Sequence, residues 1–273
     1  MPLLTLTTDI GQQDYIVGAI KGQLLSAIPN LTIADITHYL PQDNFEHAAY
    51  ICGNAFKYYP NDTFHLVLIN AFDSKTGHFV LSKVNNQCII CPDNGILSII
   101  AGTVPEQTVT IPIINARTLI EITQILTNAI AELINGKAMK SIGTQGLAIV
   151  EKARLRPMIG NDWIEGQILF IDNFENAIIN ITEAEFEEER KGRNFKIIFK
   201  RNEVVNTIST NYSKANEGEY LAWFNSAGYL ELSINKGNIA SLFGLENFNE
   251  KMHKHGRSVQ NKWVYQTVRI FFE

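Results

Sequence analysis

A change of texture near residue 150 constrains this chain more than any other feature. Before it, strand-like and helix-like segments alternate: "LLTLTTD", "YIVGAIKGQLLSAI", "LTIADIT", "NFEHAAYICGNAFKYY" and "TFHLVLINAF". "HFVLSKV" and "QCIICP" read as further strands, "NGILSIIAG" as a short helix and "LIEITQILTNAIAELINGK" as a long amphipathic one with glycine near its end. Alternation of this kind predicts a mainly parallel sheet with flanking helices. After residue 150 the chain offers short apolar runs divided by turn residues: "EGQILFIDNF", "NAIINIT", "FKIIFK", "VVNTIS", "EYLAWFN", "GYLELSI" and "KWVYQTVRIFFE". That spacing predicts an all-β, barrel-like domain. "EKARLRPMIGNDW" reads as the linker, giving domains of residues 1–152 and 160–273. "TEAEFEEERKG" reads as a helix inserted into the second domain, because Thr182 and Glu185 have capping-box spacing.

Composition narrows the function classes. At a net charge of −5 no basic face is apparent in the sequence, which argues against nucleic acid as a partner. No apolar run reaches the ~18 residues of a membrane helix, and "MPLLTLTTD" has neither the basic start nor the cleavage site of a signal peptide. A cytoplasmic protein with neither nucleic-acid nor membrane partners is therefore expected. Cys88 and Cys91 in "QCIICP" have redox or zinc spacing, but residues three apart on a strand face opposite sides, and Cys52 alone supplies no second pair. All three are read as reduced core thiols. "HKH" at His253 to His255 has no visible partners, so no metal site is assigned.

The opening loop carries the chemistry. "LTTDIGQQDYIVGAIKG" runs from a strand, through Asp9 and Asp14, into a helix. It lacks the glycine spacing and the lysine of a phosphate-binding loop, and its carboxylates repel anions. Taken alone, Asp9 would cap the helix and Asp14 would be solvated. Asp35 and His38 can pair across the next loop, and "CPDNGIL" suits a helix-initiating turn with Asn94 a candidate pocket residue.

The order of motifs points further. "TTDIGQQDYIVGAIKG", "IADITHYLPQDNFEHAAYI", "YYPNDTFHLVLIN" and "PDNGILS" are followed by "IDNFENAIINI" and "NSAGYLELSINKGNIASLFGL". Over nearly its whole length the chain resembles the S-adenosyl-L-methionine (SAM) hydroxide adenosyltransferases, a family that includes SAM hydrolases and the SAM-dependent fluorinase and chlorinase. The resemblance implies an α/β domain followed by a β-barrel domain. It also implies a homotrimer, with SAM held between one subunit's first domain and its neighbour's second, SAM as substrate or ligand, and no cofactor. Asp9 then matches the carboxylate that accepts both ribose hydroxyls, a role suited to two acceptor oxygens with no donor. Asp14 matches a carboxylate near the cationic methionine end. Asp172 matches the holder of the methionine amine, Phe174 an aromatic that stacks on adenine and Asn176 an amide that reads the base edge. Ser226 matches a serine near the methionine carboxylate and Ala240 a position whose backbone touches adenine. Glu175 stands where the family has glycine.

The catalytic pattern departs from the family. Its hydrolases orient water with an aspartate, an arginine and a histidine. Here Asn70 in "VLINAFDSKTG" takes the aspartate position, the arginine falls near Gly77 with Lys75 and His78 alongside, and Glu121 stands near the histidine position. The halide-binding hydroxyl of the halogenases becomes Asp73, which repels halide. Two readings stay open. One is a SAM hydrolase whose water site is rebuilt around Asn70, with Asp73 or Glu121 as base and Lys75 as cationic partner. The other is a catalytically inactive binder of SAM or adenosine, and a pocket for another nucleoside is a third.

Overall fold

The computed structural model describes residues 1–72, 76–200, 203–246 and 266–273. The chain divides into two compact units, Met1–Arg154 and Leu155–Glu273.

The first unit is an α/β sandwich. Strands β1 (Leu3–Thr8), β2 (Thr32–Thr37), β3 (Phe64–Leu68), β4 (His78–Val84), β5 (Gln87–Pro92), β6 (Thr108–Pro112) and β7 (Thr144–Gln145) form one sheet, ordered β2-β1-β3-β5-β4-β6-β7. Helices α1 (Ile16–Ala27), α2 (Phe45–Ala55), α3 (Ile96–Ala101) and α4 (Leu119–Ile134) cover its faces. The side chains alternate as a doubly covered sheet requires. Leu66, Leu68, Phe79 and Leu81 join a core with Val17, Ile20 and Leu24 of α1 and Ile122, Leu126 and Ile130 of α4. Val67 and Val80 join the opposite core, with Ala48 and Cys52 of α2 and Leu97 and Ile100 of α3. The α/β class expected from the alternation holds. Its parallel part is β2-β1-β3-β5, and from β5 outward the pairings are antiparallel. The reversal begins at Asn85 and Asn86, which link β4 to β5 with φ of 47° and 62°. Two consecutive positive φ values are what a two-residue type I′ hairpin turn requires, and asparagine tolerates them.

The second unit is antiparallel. It contains β8 (Met158–Ile159), β9 (Trp163–Ile171), β10 (Ala177–Thr182), β11 (Phe195–Lys200), β12 (Glu203–Val205), β13 (Tyr220–Phe224), β14 (Tyr229–Ile234) and β15 (Thr267–Phe272). The order is β12-β11-β15-β9-β10-β14-β13, with β8 added to β9. Ile208, just beyond β12, bridges Ala222 of β13, so the sheet nearly closes on itself. Along β11, Phe195, Ile197 and Phe199 point inward while Lys196 and Lys200 are exposed. Helix α5 (Glu183–Arg190) carries the predicted capping box: Thr182 accepts from the Glu185 amide, and Glu185 accepts from that of Thr182. Its one buried side chain, Phe186, reaches the barrel core and meets Phe195 edge-on at 5.1 Å. Truncating such a side chain to alanine costs roughly 3–5 kcal/mol.

Candidate functional site

Topology selects one edge of the α/β sheet. From β1 the chain passes through α1 to β2 on one side, then returns through α2 to β3 on the other. The winding reverses at β1, so the carboxyl ends of β1 and β3 flank a switch point, where open α/β sheets bind ligands. Asp9 follows β1 and Asn70 lies two residues past β3. The Asn70 amide donates to Asp9 Oδ2 at 2.8 Å across the switch point. Asp9 is 5% exposed, while Asn70 takes a φ of 47°, which turns the chain back over the strand end. Asn94, after β5, donates through Nδ2 to Ile69 O (3.0 Å) and Asn70 O (3.3 Å). Its Oδ1 accepts from the Ile96 amide at the start of α3 (3.2 Å). Gly95 between them has a φ of 97°, and a Cβ there would lie 2.6 Å from Lys152 Cγ. The structure thus gathers Asp9, Asn70 and Asn94 at one edge.

The neighbouring strand end carries a second polar chain. Thr8 Oγ1 and His38 Nδ1 are hydrogen-bonded at 2.9 Å, His38 Nε2 lies 3.3 Å from Asp35, and Asp35 pairs with Lys21 at 2.6 Å. Burial lowers the His38 pKa against the opposing pull of Asp35. The expected Asp35–His38 pairing is present. Asp14, in contrast, is exposed, and its Oδ1 accepts from the Ile16 amide at 2.9 Å, where α1 begins. His78 and Asp93, a pair not singled out from the sequence, meet at 2.8 Å beyond β5, and Asp93 also accepts from the Val150 amide at 2.8 Å.

Glu121 occupies the first turn of α4. Its Oε2 accepts from the amides of Arg117 (2.5 Å) and Thr118 (3.1 Å), and Thr118 Oγ1 accepts from the Glu121 amide in return. These backbone donors hold its carboxyl below the usual range, Arg117 first and Thr118 second. Asp73, Lys75 and His253 to His255 lie outside the described residues.

In the β unit, Asp172 organises the turn between β9 and β10. Its Oδ1 accepts from the amides of Phe174 and Asn176, each at 2.8 Å, and its Oδ2 from Asn176 Nδ2 at 3.0 Å. The Phe174 ring is left 80% exposed. Glu175 takes a φ of 62°, a left-handed conformation more readily adopted by glycine. Glu175 O accepts from the Ala240 amide at 3.1 Å, and Ala240 O from that of Leu245 at 3.0 Å, so both backbone groups of buried Ala240 bond within the chain. Asp172, Phe174, Asn176 and Ala240 are therefore brought together. Ser226 is not among them. It is exposed in the β13–β14 turn, which lies at the Thr182 end of β10, whereas the Asp172 turn lies at its Ala177 end.

Cys88 and Cys91 face opposite sides of β5: Cys91 is buried in one core with Cys52 of α2 and Cys88 borders the other, all as free thiols. Burial pushes the Cys52 thiol up to about 12. Among the described residues no group of three His, Cys, Asp or Glu side chains is arranged to hold a metal ion, and no helix is long and apolar enough to cross a membrane.

The profile of the SAM hydroxide adenosyltransferase N-terminal domain matches residues 4–143, and that of the family's C-terminal domain matches residues 166–250. The chain belongs to the SAM hydroxide adenosyltransferase family. The (R)-S-adenosyl-L-methionine hydrolase of Methanocaldococcus jannaschii is 24% identical over 259 residues, covering 92% of this chain and 95% of its own. The hydrolase of the same name from Thermus thermophilus is 23% identical over 88% of this chain and 94% of its own. An uncharacterized conserved protein from Thermotoga maritima superposes with a TM-score of 0.79 at 20% identity, over 98% of this chain and 99% of that one. At that identity the superposition speaks for the fold alone. This member of the family carries the α/β unit and the nearly closed antiparallel barrel described above.

Proposed function

We propose that this chain binds SAM and hydrolyses it to adenosine and L-methionine. Water attacks the ribose 5′ carbon, the carbon–sulfur bond breaks, and the sulfonium leaves as the neutral thioether of methionine. No acid is needed for such a leaving group, so catalysis rests on holding the substrate and orienting the water. The observation that carries this reading is Asp9, a carboxylate 5% exposed at the β1–β3 switch point. The Asn70 amide fixes its Oδ2, and a carboxylate offers acceptor oxygens with no competing donor. A vicinal diol is the matching donor pair. Asp14 supplies negative charge toward the cationic end. In the β unit the exposed Phe174 ring stacks on adenine and Asn176 reads its edge, next to Ala240. Asp172 serves the amino group of methionine, and Ser226, exposed at the far end of β10, is not assigned to the same ligand. Asn94 supports the pocket through the Asn70 loop. Because Glu121 gives its carboxylate to the cap of α4, Asp73 is the base to test first, and Asn70 the position to test after it. The homotrimer belongs to the same proposal, and the mass in solution is its test.

A second reading has its own support. Asn70, Gly77 and Glu121 at the three catalytic positions, with the Glu121 carboxylate already engaged, suit a relative that binds SAM or adenosine without turnover. One experiment separates the two. The protein is incubated with SAM and the products are separated by chromatography, with a calorimetric SAM titration alongside. Adenosine and methionine in equal amounts above the enzyme-free control support hydrolysis. Binding without products supports the inactive binder. Neither binding nor products defeats both.

A further inference from the structure

The side-chain amide of Asn176 is fixed in one orientation by Asp172 and Tyr212. Its Nδ2 carries two hydrogens, and both are committed: one to Asp172 Oδ2 at 3.0 Å and one to the phenolic oxygen of Tyr212 at 2.9 Å. Asp172 is a carboxylate and accepts only. Tyr212 has one hydroxyl hydrogen, and it donates that to Glu231 Oε1. Burial, and after it the hydrogen bond to Glu231, raise the Tyr212 pKa, so the phenol keeps its proton. Glu231 is 4% exposed on β14, and the Tyr212 ring is held edge-on to Trp223 with ring centres 4.7 Å apart. With its only hydrogen directed at Glu231, Tyr212 can only accept from Asn176. A flipped Asn176 would turn its carbonyl oxygen on two acceptors at once.

The rest of Asn176 is also accounted for. Its backbone amide donates to Asp172 Oδ1 and its carbonyl accepts from the Asp172 amide. Asn176 is 4% exposed, yet Oδ1 has no donor among the described residues and is not one of their fully enclosed unpaired atoms, so it keeps a narrow access to a partner. It is an acceptor and requires a donor.

We propose that Tyr212 and Glu231 are positioning residues that set base selectivity: by locking the Asn176 amide they present Oδ1 outward, to accept from the 6-amino group of adenine and to repel the 6-oxo group of hypoxanthine or guanine. This rests on the reading that Asn176 faces the base of a bound nucleoside.

The test is calorimetric titration of adenosine and inosine, which differ at the 6-position, into the full chain and into Tyr212→Phe and Glu231→Gln. The full chain should bind adenosine at least about tenfold more tightly than inosine, because an acceptor facing an acceptor leaves both unpaired. Each variant should shrink that ratio by at least about threefold: Tyr212→Phe removes one of the two acceptors that hold the amide, and Glu231→Gln offers Tyr212 a donor, which frees the phenol's hydrogen for a flipped Asn176. A purely structural role would weaken both nucleosides alike and leave the ratio unchanged, and that result in both variants overturns the proposal. Equal binding of adenosine and inosine by the full chain also overturns it, while leaving the nucleoside reading in place. Binding of neither by the full chain overturns the nucleoside reading, and the selectivity proposal with it.

Discussion

Asp9 and Asp172 are each the last polar stop of a strand, yet they are held in opposite ways. Asp9 is enclosed and accepts from Asn70, 61 residues away, on a neighbouring strand end. Asp172 is half-buried and accepts from Phe174 and Asn176, within four residues of itself. The first carboxylate exists in its setting only because the sheet has assembled. The second builds its own turn. Asp9 is thus placed by strands that meet only in the folded sheet, whereas Asp172 is placed by its own turn.

The contrast extends to how the two units respond to acid. Burial lowers His65 to about 4 and His47 to about 3, and both belong to the α/β unit. The unfolded chain takes up these protons near the ordinary value of 6.5, where the folded unit refuses them. The stability they confer is therefore present above pH 6.5 and is lost as pH falls toward 4 and 3. His65 alone is worth on the order of 3 kcal/mol over that window. The second unit has no histidine among its described residues, and the chain's three tryptophans, Trp163, Trp223 and Trp263, all fall within it. Helical circular dichroism should lose melting temperature between pH 6.5 and 4 well before tryptophan fluorescence does. Coincident shifts would show that the two units do not differ in this way.

Asp172→Ala comes next in size. It strips acceptors from two backbone amides and one side-chain amide, and should cost about 2 kcal/mol in urea unfolding. The loss should appear in the tryptophan signal. An unchanged midpoint would mean that the turn does not depend on its carboxylate.

The cap of α4 gives the smallest effect. Thr118→Ala should cost about 1 kcal/mol by loss of the capping hydroxyl. Glu121→Gln keeps a capping-box residue and should leave both stability and any SAM turnover nearly unchanged. Its folded pKa is lowered, so what the carboxylate contributes is present above the ordinary carboxyl pKa and fades only as pH falls through the lower, folded value. Turnover abolished by Glu121→Gln, with the melting temperature intact, would restore Glu121 as the base.

What the sequence made legible follows from the same distinction between local and distant contacts. The strands His78–Val84 and Gln87–Pro92 and the capping box at Thr182 are visible because alternation, turn residues and caps act over a few positions. The hairpin reversal at Asn85 and Asn86 was also local, and the paired asparagines were its signal, yet continuous apolar strands on either side read more readily as parallel. Strand β6, "TVTIP", is short and borders turn residues, and its place is decided by pairing with β4. Within the candidate site, the family resemblance marked Asp172 and Asn176. Tyr212 was not legible, because Asn176 lies 36 residues before it and Glu231 lies 19 after it. The burial of Asp9, and its bond to the Asn70 amide, likewise appear only when β1 and β3 lie side by side.

Whether Asp9 holds the ribose is decided by calorimetric titration of adenosine into the full chain and into Asp9→Ala. A buried carboxylate that accepts two ribose hydroxyls contributes about 3 kcal/mol or more to binding, so the full chain should bind adenosine saturably and the variant at least about a hundredfold more weakly. Equal affinity for the two proteins, or no binding to the full chain, would contradict this role for Asp9.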